Sequence, residues 1–394
     1  MDKNVIREQV LNSIDMTRDP EDDELHNIID SIILSESDYK YVTIEDRVKL
    51  HSQIFNSIKG LGLIEELLKD SDITEIMVNG TQNIYVEKTG CLEQYPDTIT
   101  SDNRLNDIIQ QIVAKTNRRV NETNPIVDTR LSDGSRVNIV LPPIAIDGAV
   151  LTIRKFAKEQ MTMEKLIQLK SISVEAAELL EQLVIAGYNI FVSGGTGSGK
   201  TTFLNVLSNF IPKDQRVVTI EDSAELQLKG VKNLVRLEAR QANSQGENEI
   251  TIRDLIKTSL RMRPDRIIVG EVRGGESLDM LQAMNTGHDG SMSTGHANSP
   301  KDMLARLETM VLMGMNIPLQ AVRAQIASGI DIMVHLARMS DKSRKVVEIN
   351  EIEKYENNQI VLNKIFEYKN NKLTKVGNIC NRYKLRKIYE TKEE

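Results

Sequence analysis

Hydrophobic positions along the chain fall into three regimes of spacing. Leu25, Ile28, Ile29, Ile32 and Ile33 recur at three and four, which is one face of a helix. The acidic run Asp19-Pro20-Glu21-Asp22-Asp23-Glu24 breaks the chain before them. A second helical stretch covers about residues 47–59, and Gly60 and Gly62 mark its end. From residue 73 to 156 the pattern changes to short β-type runs, among them Ile76-Met77-Val78, Ile84-Tyr85-Val86, Val137-Asn138-Ile139-Val140 and Val150-Leu151-Thr152-Ile153. Asn79-Gly80 and Asp133-Gly134 are turn signals between such runs, and one helix is predicted around 105–115. After a polar, Lys-rich segment at 155–170, apolar strands alternate with helical stretches: Asn189-Ile190-Phe191-Val192-Ser193, Val217-Val218-Thr219-Ile220 and Ile267-Ile268-Val269-Gly270. That alternation predicts right-handed crossovers and a mostly parallel sheet covered on both faces. The tail from about residue 346 returns to strand-like runs. The expected organisation is a helical lead over 1–62, an α+β domain over 63–156, a linker at 157–172, and an α/β domain over 173–394 with a C-terminal strand and helix extension.

Composition narrows the class. The 394 residues hold 50 basic and 57 acidic side chains, net −7, with 40% hydrophobic residues, as in ordinary globular proteins. With 22 Gly and 9 Pro, a collagen-like or linker-like chain is excluded. Cys91 and Cys380 form no CxxC pair, which argues against a disulfide framework and fits a reducing compartment. Charged residues begin within the first ten positions, and the longest uncharged stretch, 183–199, runs into a Gly-rich loop; a spanning helix needs roughly twenty apolar residues. The expected location is cytoplasmic, with any membrane contact peripheral.

The chemistry concentrates at Gly194-Gly195-Thr196-Gly197-Ser198-Gly199-Lys200-Thr201, which matches G-x-x-x-x-G-K-[ST] directly after an apolar strand and before a helical stretch at 202–209. Glycines let successive N–H groups turn inward as an anion nest, and the helix N-terminus adds its dipole. Lys200 is placed to reach the β- and γ-phosphates, Thr201 to ligate Mg²⁺, and Thr202 to follow in the first turn. The segment therefore predicts a nucleoside triphosphate site. No LSGGQ-like signature is present, and Asn363-Lys364-Ile365-Phe366 lacks the Asp of a guanine reader. Acidic residues close two further strands. Glu221 and Glu225 lie in Ile220-Glu221-Asp222-Ser223-Ala224-Glu225, and Glu271 ends Arg266-Ile267-Ile268-Val269-Gly270-Glu271, where Gly270 replaces the usual metal-side Asp. Ligands bind at such strand ends. His288 and His296 stand eight residues apart, a spacing that fits no helical zinc pair, so a phosphate sensor or hydrogen-bonding role is expected instead.

Taken together these segments resemble the type II/type IV secretion ATPases, in which the P-loop is followed by an acidic box, a Gly-Glu Walker B strand and a histidine box. The likeness extends to Asp72-Ile73-Thr74-Glu75-Ile76-Met77-Val78-Asn79-Gly80, Pro125-Ile126-Val127-Asp128-Thr129-Arg130-Leu131-Ser132-Asp133-Gly134-Ser135-Arg136-Val137, Leu151-Thr152-Ile153-Arg154-Lys155-Phe156 and Ser259-Leu260-Arg261-Met262-Arg263-Pro264-Asp265. It is similar above all to the CpaF/TadA branch, which powers tight-adherence (Flp) pilus assembly, and it covers about residues 47–340. The resemblance implies a RecA-like motor domain behind a smaller α+β domain, a homo-hexamer, ATP and Mg²⁺ as ligands, and inner-membrane pilus or secretion platform proteins as partners. It further implies that Arg136 and Arg154, with Arg130 and Arg261 as weaker candidates, neutralise phosphate charge. Glu271 would position the attacking water, Glu221 or Glu225 would help hold Mg²⁺, and His296 would report the γ-phosphate. Two alternatives stay open: a conjugation-type traffic ATPase, and a RecA-like nucleic-acid motor. Net charge −7 and the absence of Trp weigh against the second, so no direct nucleic-acid partner is expected.

Overall fold

The structure, a computed structural model, describes residues 3–14, 21–37, 43–88, 90–115, 118–156, 161–240, 242 and 247–390. The chain divides into two compact units, Met1–Lys158 and Glu159–Glu394.

The first unit opens with helices α1 (Lys3–Ser13), α2 (Asp22–Ser37), α3 (Ile44–Ile58) and α4 (Leu63–Lys69). α1 falls within the helical lead expected over 1–62 and carries one apolar stripe, Ile6, Val10 and, just beyond the helix, Ile14. These pack with Leu25, Ile29, Ile33 and Ile54 into a small core of their own. Part of the acidic break at 19–24 lies outside the described residues; its described end forms the first turn of α2, where Asp22, Asp23 and Glu24 complement the helix dipole. Thr43 caps α3 by accepting from the Asp46 amide, and Arg104 donates from Nη2 to the Gly60 carbonyl just past the helix end.

Next come β1 (Ile73–Asn79), β2 (Asn83–Lys88), β3 (Cys91–Gln94), α5 (Asp102–Ala114), β4 (Ile126–Arg130), β5 (Arg136–Val140) and β6 (Val150–Arg154). The strands form one antiparallel sheet in the order β3-β2-β1-β6-β5-β4. The apolar face of α5 (Leu105, Ile108, Ile109, Ile112) packs with the inward residues Ile76, Val78, Ile139, Leu151 and Ile153.

The second unit holds α6 (Met163–Gln168), α7 (Val174–Ile185), β7 (Ile190–Gly194), α8 (Lys200–Ser208), β8 (Arg216–Glu221), β9 (Asn233–Glu238), α9 (Ile252–Ser259), β10 (Arg266–Val269), α10 (Glu276–Asn285) and β11 (Met292–His296). It ends with α11 (Pro300–Gly314), α12 (Leu319–Gly329), β12 (Ile332–Arg338), β13 (Arg344–Glu356), β14 (Gln359–Lys369), β15 (Lys372–Lys375) and α13 (Tyr383–Glu390). The span expected as a linker, 157–172, contains α6, whose Met163 and Leu166 are buried in the core of this unit. Three apolar positions, Met163, Leu166 and Ile167, in six residues are too few to separate a short helix from a polar connection by pattern. Residues 157–160 of that span lie outside the described residues.

The sheet order is β15-β14-β13-β12-β7-β11-β10-β8-β9. β12, β7, β11, β10, β8 and β9 run parallel, and β13 to β15 add an antiparallel extension at one edge. Successive strand residues alternate between two cores. Ile190, Val192 and Ile268 pack with α7 and α8, whereas Phe191, Ile267 and Val269 pack with α9 to α12. Helices therefore cover both faces, which is why β7 and β10 read as unbroken apolar runs rather than alternating ones.

Two buried polar side chains tie the layers together. Asn189 accepts from the amides of Gly290 and Ser291 and donates to the carbonyls of Met284 and Gly329. Arg266, 1% exposed, donates from Nη1 to the Val184 carbonyl and from Nε to Gln215. Burial lowers its pKa to about 10.

Candidate functional site

Strand order decides which loops meet. β11 lies between β7 and β10, with His296 paired against Gly194. The C-terminal end of β11 thus stands between the loop that leaves β7 and the chain that leaves β10. Thr294 fixes that junction: its hydroxyl donates to the Gly270 carbonyl, and its own carbonyl accepts from the Val272 amide.

The loop after β7 is the P-loop. Gly194 has no room for a Cβ, which would collide with the Leu336 carbonyl and the Ser198 hydroxyl. Gly199 takes φ +91 as it turns into α8, a left-handed conformation that favours glycine. Thr196 and Gly197 are exposed at the crest, Gly195 is half-buried, and Ser198 is buried. Lys200 is folded back into the loop: Nζ donates to the Gly195 carbonyl at 3.0 Å and to His296 Nδ1 at 3.2 Å. Burial lowers its pKa, with the Glu271 carboxylate opposing. Thr201 and Thr202 occupy the first turn of α8, half-buried and exposed respectively.

From Lys200 the contacts continue in one line. His296 Nε2 lies 3.1 Å from Glu271 Oε1, and Arg273 Nη2 donates to Glu271 Oε2 at 3.0 Å. Arg273 Nη1 is 3.6 Å from Asp222 at the end of β8. Burial first, and then the charges of Lys200, Arg273 and Arg306, lower the His296 pKa against the pull of Glu271, so the ring is neutral at neutral pH. Because Nδ1 accepts from Lys200, the proton of a neutral ring belongs on Nε2. A cavity of about 580 Å³ opens beside this line, bordered by Asp222, Arg240, Arg253, Glu271, Arg273 and Glu276.

Glu221, expected to help hold Mg²⁺, is the last residue of β8. It is 4% exposed and turned inward, and Oε1 accepts from the amides of Glu225 and Leu226 at 2.9 and 3.0 Å. Burial pushes its pKa up to about 7. The missing Walker B side chain has a physical counterpart here. A Cβ on Gly270 would stand 2.9 Å from Glu221 Cγ, so the carboxylate of the neighbouring strand occupies the space that Gly270 leaves. Glu221 Oε2 is buried and has no hydrogen-bond partner among the described residues, an uncommon state that a cation or a bound water would relieve. Glu225 contributes its backbone to this turn, and its side chain is half-buried.

The two histidines that the sequence sets together are separated by a whole strand. His288 precedes β11 at the opposite edge of the sheet, with Nδ1 3.1 Å from the Ala283 carbonyl at the end of α10. Arg261 also lies away from the P-loop, exposed in the turn that precedes β10, beside Met262 whose carbonyl accepts from Arg216 at the start of β8.

In the first unit Arg130, Arg136 and Arg154 face one another directly across β4, β5 and β6. Arg154 Nε approaches Glu75 Oε1 at 3.6 Å. Like charges opposed across strands are unfavourable. Arg273 is the site residue that pattern reading missed. Its signal was an arginine two positions after Glu271.

Residues 57–391 match the type II/IV secretion system protein family, and the chain belongs to it. It is 35% identical to the type IV secretion system protein PtlH of Bordetella pertussis, over 72% of this chain and 91% of the relative. It is 33% identical to the conjugal transfer protein TrbB of Rhizobium radiobacter, over 74% and 87%. Among solved structures, the pilus retraction motor PilT with bound ADP matches 85% of this chain and 90% of its own, at 19% identity and a TM-score of 0.53, a likeness of fold. No helix among the described residues is long and apolar enough to cross a membrane.

Proposed function

We propose that the chain is a Mg²⁺-dependent ATPase that works as a homo-hexameric RecA-like motor, at the cytoplasmic face of the inner membrane, on a pilus-assembly or secretion platform. The observation that carries this reading is the unbroken line Lys200–His296–Glu271–Arg273 at the strand ends beside the P-loop. Nucleotide phosphates would sit in the nest formed by residues 194–199, with Thr201 and the unpartnered Glu221 Oε2 as oxygen donors suited to Mg²⁺. When bound there, the cation neutralises charge on the β- and γ-phosphates.

Lys200 leaves His296 for the phosphates, so the imidazole loses its donor at Nδ1 and its hold on Glu271 changes with it. Glu271, kept by Arg273, then orients the attacking water. In this way the histidine couples phosphate occupancy to the position of the catalytic carboxylate. The family resemblance also assigns phosphate neutralisation to Arg136 and Arg154.

For the machine served, the sequence motifs favour Flp-type pilus assembly. A conjugation-type or type IV secretion role is favoured by the identity to PtlH and TrbB. Gene neighbourhood separates the two: prepilin and platform genes for the first, a conjugative channel for the second. The central test is steady-state turnover of wild type and Glu271→Gln with and without Mg²⁺, with particle mass by light scattering. Mg²⁺-dependent turnover that falls on the order of 10²–10³-fold in the variant, with a mass near six subunits, is expected. Full turnover in Glu271→Gln or Lys200→Ala would refute the site.

A further inference from the structure

The hairpin β12–β13 brings two arginines to the P-loop. β12 runs beside β7 in parallel, with His335 opposite Ser193 and Leu336 opposite Gly194. Two residues further on, β12 ends at Arg338 just where β7 gives way to the P-loop. Arg338 is paired across the hairpin with Arg344, the first residue of β13. Arg344 donates from Nε to the Gly197 carbonyl at 2.9 Å, and its Cδ stands 3.3 Å from where a Cβ on Gly199 would lie. Arg338 Nη1 stands 3.8 Å from the corresponding position at Gly197.

The charge balance of this corner is unusual. In a chain with more acids than bases, neither arginine has an ion-pair partner among the described residues, and Arg338 has no hydrogen bond there either. The acid of the hairpin's loop, Asp341, accepts from the Ser343 amide at 2.9 Å. Two guanidinium groups directly opposed across antiparallel strands repel each other. Such a pair at the crest of an anion-binding loop is matched by phosphate, which a guanidinium can bind through two parallel N–H groups.

We propose that the β12–β13 hairpin forms a second, cationic wall of the nucleotide site, in which Arg338 binds the phosphates of a nucleoside di- or triphosphate and Arg344 positions the P-loop crest through Gly197. This rests on the nucleotide-binding reading above and adds the residues that would discriminate a phosphorylated nucleotide from a nucleoside.

The test is calorimetric titration of the full chain with ATP, ADP and adenosine in wild type, Lys200→Ala, Arg338→Ala, Arg338→Lys and Arg344→Ala. Arg338→Ala is expected to weaken ATP and ADP alike by about tenfold, the worth of one charge-assisted contact. Arg338→Lys should recover part of the loss, since lysine keeps the charge without the fork. Because the Arg338 side chain makes no hydrogen bond or ion pair among the described residues, the melting temperature of Arg338→Ala should stay at the wild-type value. For Arg344→Ala, amide hydrogen exchange over residues 195–199 of the nucleotide-free protein should quicken, a readout that loss of a phosphate contact alone would not move. Wild-type affinity in both arginine variants, alongside a Lys200→Ala that no longer binds, would overturn the hairpin's role and leave the nucleotide reading standing. Failure of the wild type to bind ATP would overturn both.

Discussion

Replacing Gly270 by alanine isolates the contact that stands in for the missing Walker B side chain. The added Cβ meets Glu221 Cγ at 2.9 Å, inside ordinary van der Waals contact. Glu221 cannot yield cheaply, because Oε1 holds the amides of Glu225 and Leu226. Overpacking of this kind costs about 1–3 kcal/mol. Gly270 does not use the left-handed backbone region, so the exchange adds no strain there and gains about 0.4–1 kcal/mol by stiffening the unfolded chain. The expected net loss is about 1–2 kcal/mol, a fall of roughly 2–8 °C in Tm for a unit of this size. In a Glu221→Ala background the collision is gone, and Gly270→Ala should be neutral or stabilising. Urea unfolding followed by circular dichroism on the four proteins of this cycle gives the coupling, expected at about 1–3 kcal/mol. An equal effect of Gly270→Ala in both backgrounds would show that Glu221 does not occupy the Gly270 space.

Other outcomes follow from the same geometry. Glu221 has a folded pKa raised to about 7 from its ordinary 4.5, so the stability it contributes is full below pH 4.5 and is lost as pH rises through 7; relative to Glu221→Gln, wild type should lose about 3 kcal/mol over that window, and a pH-independent difference would contradict the burial. Arg266→Ala leaves the Val184 carbonyl and Gln215 without their donor in a closed core, and should lower stability by about 2–4 kcal/mol in a chemical melt, with a loss under about 1 kcal/mol counting against the pinning role. His296→Ala should lower kcat by roughly 10²-fold while ATP affinity changes little, because it acts through Glu271; an effect confined to affinity would assign it to binding instead. Arg136→Ala and Arg154→Ala should each reduce turnover about tenfold or more, and wild-type rates would remove the first-unit arginines from the reaction.

Local pattern was enough wherever the physics is local. The P-loop announces itself because only glycines allow its backbone, and because Lys200 and Thr201 must follow at fixed spacing. Strands β7, β8 and β10 announce themselves as apolar runs because both of their faces are buried, whereas β9 (Asn233–Glu238) and β11 (Met292–His296) carry no such run. What pattern could not supply was contact between segments far apart in the chain. α6 has too few apolar positions to be seen as a helix, and its burial comes from partners elsewhere in the fold. His288 and His296 look like a pair in the sequence, yet an extended strand of five residues carries them to opposite edges of the sheet. Gly270 reads as a defect until β8 is placed beside β10, when the Glu221 side chain is found in its space. Arg338 and Arg344 lie more than 130 residues from the P-loop and carry no motif, and only the pairing of β12 with β7 sets them against it. Strand order decided each of these cases, because it selects which side chains from remote positions share one edge of the sheet.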